Sequence, residues 1–320
     1  MPDNDFWKAM EWRRPEFVPV RISILPAAWI RHREALLEIT SRHPILFGVN
    51  AGAERDYDYV EARHAEGGYT DAWGCVWDNV HQGMAAIVTG HPVPRREDVR
   101  TLRMPEEDIG FPHGFMFLRL TDLRGFEEMM IDFAEEPPEL KQLLDVVLQY
   151  NLRQARIHFE SLPDTPTLVY FGDDLGLQNA LPISPEAWRK HLKPCFAAIY
   201  KPFVQAGHSI YMHTDGHILE IIPDLMDCGV RVVNPQVRAN GLENLAAVAK
   251  GKVCIDLDLD RQLFPFCDTE GIHEHIREAV DVLGSPDGGL WLKAEIGPDV
   301  PLANVEAICS GLEEARVAFA

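Results

Sequence analysis

The sequence predicts an α/β fold, and a (β/α)8 barrel of the TIM type is the simplest architecture. The second half of the 320-residue chain alternates short apolar runs with amphipathic stretches five times. This alternation indicates parallel strands covered by helices. With the first half included, about eight strand–helix pairs are available, the number that closes such a barrel. The runner-up is a doubly wound open sheet, but no G-x-G-x-x-G motif follows the first strand.

The first strand–helix pair precedes a long irregular stretch. Residues 18–24 are predicted as a strand, and the apolar positions of residues 27–40 have helical spacing. Residues 41–113 are rich in glycine, proline and aromatic residues, and they are too many for an ordinary loop. We therefore expect a single barrel domain over 1–320 that contains an N-terminal insertion or lid at 41–113. Within the insertion, residues 71–77 are predicted as a strand.

The elements after the insertion follow the same periodicity arguments. Residues 114–121 are predicted as a strand, and a helix over 139–161 begins after two prolines, as helices often do. A shorter helix is predicted over 125–130. The later strands are predicted at 167–171, 209–213, 230–234, 252–257 and 289–294, and the later helices at 185–206, 218–228, 242–249, 271–283 and 301–318.

Composition excludes several classes of partner. Apolar residues make up 46% of the chain, which is enough for a sizeable core. The 30 basic and 50 acidic residues give a net charge of −20, which repels nucleic acid and anionic membrane surfaces. The six cysteines form no C-x-x-C pair, and no apolar run is long enough to span a membrane. We expect no signal peptide. We expect a cytoplasmic protein with reduced thiols, and a homodimer is left open.

Polar residues follow nearly every predicted strand of the second half. In a (β/α)8 barrel the carboxyl ends of the strands form the active site. Any one of these residues could also belong to an ordinary polar loop. Together they predict a site built from the strand ends, with the candidates Asp173, Asp174, His213, Asp215, Asn234, Gln236, Asp258, Asp260 and Glu295.

Two strand ends favour specific chemistry. His213 and Asp215 leave one strand together, and a histidine with carboxylates suits zinc or another divalent metal. The alternative is a histidine that Asp215 merely holds at a turn. Asp173 and Asp174 are adjacent and point apart, so at most one faces the site, and we favour Asp174 as an acid/base or orienting group. The alternative is a turn in which an aspartate caps a helix.

Two tryptophans of the insertion are candidates for the substrate pocket. Trp73 and Trp77 occupy alternate positions of the strand predicted at 71–77. They could form the floor of a pocket for a flat substrate. The alternative is that they pack into the core.

Several stretches together carry a family resemblance, and they run in order along most of the chain. They are residues 71–77 (DAWGCVW), 125–132 (GFEEMMID), 172–178 (GDDLGLQ), 183–185 (ISP), 213–216 (HTDG), 229–235 (GVRVVNP) and 300–304 (VPLAN). The chain resembles the uroporphyrinogen decarboxylase (URO-D) superfamily, specifically its methyltransferase-like branch. The resemblance implies a (β/α)8 barrel with its site at the strand ends.

The resemblance implies two activities. The true decarboxylases act on a tetrapyrrole with eight carboxylates, without a metal, and they have an R-x-x-G-R loop. This chain has ILPAAWI at residues 24–30 instead, and its charge of −20 suits such a substrate poorly. The methyltransferases typically hold zinc with H-x-C and a later cysteine. Here His213 matches the histidine, Asp215 stands at the first cysteine and Glu295 lies near the later one.

The resemblance thus implies a corrinoid-dependent methyltransferase. Such an enzyme moves a methyl group between a small O-, N- or S-methyl compound and a corrinoid. The corrinoid would be carried by a separate partner protein, because the chain has no D-x-H-x-x-G motif. A metal that is held by carboxylates instead of thiolates suits a substrate that binds through an oxygen atom. The implied roles are zinc or another divalent metal on His213, Asp215 and Glu295, catalysis by Asp174 and His213, and substrate contacts from Trp73, Trp77, Gln178 and Asn234.

Three alternatives to this hypothesis stay open. The same residues could bind a polar substrate directly, without a metal. The chain could be a decarboxylase-like lyase for a smaller carboxylate substrate, using Asp174 with Arg31 or Arg119. It could also be a non-catalytic binding protein on the same barrel, since both expected cysteines are replaced.

Overall fold

The computed structural model describes residues 4–49 and 51–320. The chain divides into two compact units. The described part of the first unit comprises residues 68–78 and 87–235, and that of the second comprises 4–49, 51–67, 79–86 and 236–320. Within the part of the chain that the structure describes, no helix has the length and apolar character needed to cross a membrane.

The secondary structure alternates in the order expected of an α/β protein. The strands are β1 (Val20–Ile24), β2 (Gly67–Thr70), β3 (Val76–Asn79), β4 (Ile87–Gly90), β5 (Leu168–Gly172), β6 (Ser209–Thr214), β7 (Val230–Pro235), β8 (Cys254–Asp258) and β9 (Leu290–Ile296). The helices are α1 (Asp5–Met10), α2 (Pro26–Arg42), α3 (Pro44–Phe47), α4 (Phe117–Arg124), α5 (Phe126–Glu135), α6 (Pro138–Ser161), α7 (Pro185–Ala187), α8 (Lys193–Gln205), α9 (Ile222–Asp227), α10 (Val237–Asn240), α11 (Leu242–Ala249), α12 (Thr269–Leu283) and α13 (Leu302–Arg316).

The first unit contains three adjacent parallel strands, with β6 between β5 and β7. Helices α6 and α8 pack against each other in this unit. The ring of Phe171 on β5 lies 4.7 Å from that of Tyr200 and 5.8 Å from that of Phe203, both on α8. Burial of these large rings against the strands supplies the apolar contact that holds helix to sheet.

The second unit also contains three parallel strands, with β9 between β8 and β1. Its helices α12 and α13 pack against each other. The predicted α/β fold with parallel strands is therefore confirmed. Six strands of the described residues are parallel, three in each unit. The closed barrel with eight strands stays a prediction.

The segment predicted as an insertion has secondary structure of its own. It includes α3, two short 3-10 helices (Ala62–His64 and Arg96–Arg100) and a three-stranded sheet in the order β2-β3-β4. The strand predicted at 71–77 covers Val76–Asn79 instead. Residues before it turn, because a side-chain oxygen of Asp71 accepts the backbone N–H groups of Trp73 and Cys75. The boundaries of the insertion and its role as a lid stay predictions.

One element was predicted wrongly. Residues 114–121, predicted as a strand, contain the start of α4. The backbone N–H groups of Met116, Phe117 and Leu118 donate to the carboxylate of Asp173. A helix needs partners for its first N–H groups, and here they come from a residue far away in the sequence. The local pattern of apolar residues therefore did not distinguish a helix from a strand.

Candidate functional site

The register of the three strands in the first unit places three chain segments side by side. Gly172 on β5 lies opposite His213 on β6, and His213 lies opposite Asn234 on β7. Because the strands are parallel, their carboxyl ends lie at the same edge of the sheet. Asp174 follows β5 at this edge. The candidate site consists of the polar side chains at these strand ends.

The ring of His213 has a defined orientation. Its Nδ1 lies 2.6 Å from Oδ1 of Asn234. An amide oxygen only accepts, so Nδ1 carries the proton and the lone pair of the neutral ring is on Nε2. That Nε2 lies 3.3 Å from a carboxylate oxygen of Asp215 and 3.9 Å from one of Asp174. A lone pair that faces carboxylate oxygens favours a cation between them.

A second histidine completes the cluster. Nε2 of His113, in the segment before α4, lies 3.0 Å from Oδ2 of Asp174. The rings of His113 and His213 are 5.3 Å apart. The ligand atoms of His113, Asp174 and His213 all lie within 4.8 Å of one another. Two imidazoles and a carboxylate form a donor set that zinc and other first-row divalent metals accept.

The electrostatics of this cluster favour cations. Burial lowers the pKa of His113, but the hydrogen bond and the charge of Asp174 outweigh it, and the pKa is raised overall. The nearby charges of Asp173 and Asp215 act in the same direction. The cluster therefore stabilises positive charge, on a protonated ring or on a metal ion.

Two glycines lock the loops that follow β5 and β6. Gly176 donates its N–H to the backbone oxygen of Asp215 at 3.2 Å, and Asp215 donates its own N–H to Oδ1 of Asp174 at 3.0 Å. A Cβ on Gly216 would lie 2.2 Å from the backbone carbonyl carbon of Gly176. The two loops are thus in backbone contact, and a side chain at Gly176 or Gly216 would clash with the other loop. This contact fixes Asp174 and Asp215 relative to each other.

The adjacent aspartates face different surroundings. Asp174 faces the histidines, whereas Asp173 is fully buried and accepts three backbone N–H groups at the start of α4. Burial raises the pKa of Asp173 to about 7, against the N–H groups of Leu118 and Phe117 and the charge of His113, which lower it. Asp173 therefore contributes to the site through the backbone that it holds.

The two tryptophans of the predicted pocket differ in environment. Trp73 is buried and its ring packs edge-on against Tyr150, with centroids 5.0 Å apart. Trp77 is only half-buried and stacks on Tyr69, with centroids 6.0 Å apart. Its indole N–H donates to Asp71 at 3.0 Å. Of the two rings, only that of Trp77 retains a substantially exposed surface.

Asp71, the acceptor of the Trp77 indole N–H, belongs to a buried ion cluster with Arg119 and Asp122. A guanidinium nitrogen of Arg119 lies 2.7 Å from Asp71 and 3.7 Å from Asp122. Burial raises the pKa of Asp122 to about 6, although Arg119 lowers it. The charges of His91 and His113 also lower it. The cluster is thus electrostatically coupled to the two-histidine site.

The group of three ligand residues does not include two other predicted site residues, Gln178 and Glu295. Gln178 is exposed in the loop after β5. Glu295, on β9 in the second unit, accepts from Arg261 at 2.5 Å and from Ser23 at 3.4 Å. Its metal-ligand role, and the substrate-binding role of Gln178, stay predictions. His113 was missed, because it belongs to no motif and precedes α4 in a segment without regular spacing.

Comparisons with known proteins complete the description. The model of the uroporphyrinogen decarboxylase (URO-D) family matches residues 117–314. No curated protein matches the sequence. Among solved structures, a methyltransferase from Methanosarcina mazei is similar, with 19% sequence identity and a TM-score of 0.63, covering 96% of this chain and 97% of that one. At this identity, the likeness shows a shared fold.

Proposed function

The chain belongs to the uroporphyrinogen decarboxylase family, and on this premise we propose that it is an enzyme of the methyltransferase-like branch. It transfers a methyl group from a small O-, N- or S-methyl compound to a corrinoid carried by a separate protein. The grouping of His113, Asp174 and His213 at the strand ends carries the proposal. The similarity in fold to a methyltransferase supports it. We also propose that the fold is a closed (β/α)8 barrel.

The donor set of the cluster fits a divalent metal. Metal-ligating histidines commonly donate their second ring N–H to an oxygen, and His213 does this toward Asn234. Its Nε2 and the oxygens of Asp174 and Asp215 converge on one region. We propose that His113, Asp174 and His213 hold the ion and that Asp215 is available as a fourth ligand. When bound, the ion would polarise the heteroatom that loses its methyl group.

The chain's own residues position and shield this chemistry. Asn234 fixes the tautomer of His213, so we propose that it acts on the histidine instead of contacting the substrate. Trp77 offers an exposed aromatic surface for a substrate, and Gln178 is an accessible amide in the loop after β5. The carboxylates of Asp174 and Asp215 favour a cation at the cluster and repel anionic compounds. Uncharged or cationic methyl compounds are the substrates that this field favours.

The buried ion cluster favours methyl transfer over decarboxylation. The lyase alternative uses Asp174 with Arg31 or Arg119, whose guanidinium would bind the carboxylate of the substrate. Arg119, the candidate in this unit, is 7% exposed, and Asp71 and Asp122 already neutralise it. The corrinoid partner, a cytoplasmic location and a homodimer are parts of the proposal that rest on the resemblance and the composition.

The test combines metal content with methyl transfer. The wild-type chain, purified without chelator, should contain about one divalent metal ion by elemental mass spectrometry. His213→Ala should lose it, and His191→Ala should keep it, since His191 pairs with Glu136 outside the cluster. Free cob(I)alamin is then incubated with a methoxyarene, a methylamine or a methyl thioether. Methylcobalamin formed from at least one of them, and only by the metal-containing forms, supports the proposal.

Two results would contradict the proposal in different ways. A wild-type chain without metal, both as purified and after incubation with Zn²⁺ or Co²⁺, would remove the proposed metal site. A metal-containing chain that methylates cobalamin from none of the three donor classes would leave the metal site standing. That second result would overturn the methyltransferase activity.

A further inference from the structure

Asp173 is a fully buried carboxylate next to the cluster that does not face it. One of its oxygens accepts the N–H groups of Met116 at 3.1 Å and Phe117 at 2.5 Å, and the other accepts that of Leu118 at 2.9 Å. These amides form the start of α4, where a helix cannot pair its own N–H groups. Met116 stands at the N-cap position and supplies no side-chain cap. Asp173 therefore takes the place of a local capping residue.

The segment that leads into α4 carries His113. The N–H of Gly114 donates to the backbone oxygen of Gly172 at 2.8 Å. A Cβ on Gly172 would lie 2.7 Å from Nδ1 of His113, so the ring packs directly on the end of β5. The segment is thus attached to the end of β5 twice, through the Gly172 carbonyl and the Asp173 carboxylate. Both attachments directly follow His113 in the chain, and the ring itself packs on Gly172.

We propose that Asp173 is a positioning residue that sets His113 against Asp174 and His213. This inference rests on the proposed function, because it concerns a ligand of the proposed metal. Consecutive residues after β5 hold the two parts of His113: Asp174 contacts the ring, and Asp173 holds the backbone that follows it. Metal–ligand distances in well-formed sites lie within about 0.2 Å of their typical values. Loss of the Asp173 contacts would therefore weaken the site without removing a ligand.

Asp173→Asn tests this role with minimal change in shape. The amide has one acceptor oxygen where the carboxylate has two, and its NH2 group faces backbone donors. The start of α4 should shift, and His113 should shift with it. Asp132→Asn is the matched control, because Asp132 is 3% exposed in the same unit and accepts from Arg124 at 2.9 Å. Asp132 lies on α5, and Arg124 is the last residue of α4, at the opposite end of that helix from the N–H groups that Asp173 accepts.

Co²⁺ affinity, measured by its visible absorption and by competition with a chelator, separates positioning from general stability. Asp173→Asn and His113→Ala should each weaken Co²⁺ binding about 10–100-fold. The double variant should bind no more weakly than His113→Ala, because Asp173 acts only through His113. Asp132→Asn should lose stability and keep its affinity. Wild-type affinity in Asp173→Asn, or additive losses in the double variant, would overturn the inference.

Two further measurements cover the other outcomes. If Asp173→Asn does not fold, amide hydrogen exchange of the wild type is decisive: Co²⁺ should slow exchange at Met116, Phe117 and Leu118, and it should not do so in His113→Ala.

If the wild type binds no Co²⁺, the proposed metal fails, and positioning is tested by NMR alone. The ring 13C and 15N shifts of His113 should then change in Asp173→Asn and not in Asp132→Asn. Unchanged shifts or unslowed exchange would overturn the inference.

Discussion

Nδ1 of His213 and Oδ1 of Asn234 are separated by 2.6 Å, across two neighbouring parallel strands. This contact determines which ring nitrogen holds the proton, and it directs the other nitrogen toward two carboxylates. The strand register makes the contact, since the two residues are direct neighbours in the sheet. A functional feature of the site thus follows from the pairing of β6 with β7.

We expect Asn234→Ala to weaken metal binding by about 10–100-fold, the usual effect of losing such a partner. Without the acceptor, the His213 ring can rotate and exchange tautomers, so its Nε2 is no longer presented to the ion. A chelator competition titration with Zn²⁺ measures the change. Asn234→Asp keeps an acceptor oxygen and should retain the affinity. Equal affinity in wild type and Asn234→Ala would show that the contact does not orient a ligand.

Gly216→Ala should destabilise the first unit strongly. Gly216 has a φ of 84°, and its added Cβ would overlap the backbone of Gly176 at 2.2 Å. Left-handed strain and the overlap together should cost about 3–5 kcal/mol. Gly207→Ala is a matched control, because Gly207 has a φ of 86° but open space around its Cβ position. It should cost about 1–2 kcal/mol, and urea denaturation of both variants measures the difference.

Equal losses in these two glycine variants would contradict the backbone contact between the loops. Loss of metal binding in Gly216→Ala at a temperature where it is folded would add that the contact also holds Asp174 and Asp215 in place.

The six parallel strands of the described residues could be predicted because their signal is local. Continuous apolar runs such as β5, followed by polar residues, indicate buried parallel strands whatever lies elsewhere in the chain. The start of α4 could not be predicted in this way. Its N–H groups are satisfied by Asp173, which is distant in sequence, so the residues near Met116 contain no capping signal. Long-range hydrogen bonds of this kind leave no periodic pattern.

The candidate site likewise contains residues that could be predicted from the sequence and one, His113, that could not. Asp174, His213 and Asp215 could be proposed from the rule that active sites lie at strand ends. His113 follows no strand, and its position comes from packing on Gly172 and from the capping of α4. Sequence spacing between the two histidines contains no information on their 5.3 Å separation. Only the folded chain brings them together.

Asp122→Asn should stabilise the protein at neutral pH and have less effect in acid. Burial raises the pKa of Asp122 to about 6, above its value in the unfolded chain, even though Arg119 lowers it. Asp71 also raises this pKa, and His91 and His113 lower it. The folded state therefore binds the proton more tightly, and wild-type stability from this group falls as pH rises from about 4 to about 6.

The asparagine variant removes that loss. Its stability relative to wild type should increase by on the order of 2–3 kcal/mol between about pH 4 and pH 7. Chemical denaturation at the two pH values measures it. A difference between variant and wild type that stays constant with pH would show that Asp122 ionises normally.

Asp71 holds the aromatic and ionic parts of the insertion together, so Asp71→Ala should destabilise the first unit by about 3 kcal/mol. The change leaves Asp122, at 3.7 Å, as the carboxylate that pairs with the buried guanidinium of Arg119 among the described residues, and it removes the acceptor of the Trp77 indole. Urea denaturation, followed by tryptophan fluorescence, measures the stability and the environment of Trp77. Asp78→Ala, an exposed change on β3, should alter stability by less than about 0.5 kcal/mol. If Asp71→Ala is equally mild, the pairing with Arg119 contributes little, and Arg119 is then available to a carboxylate substrate.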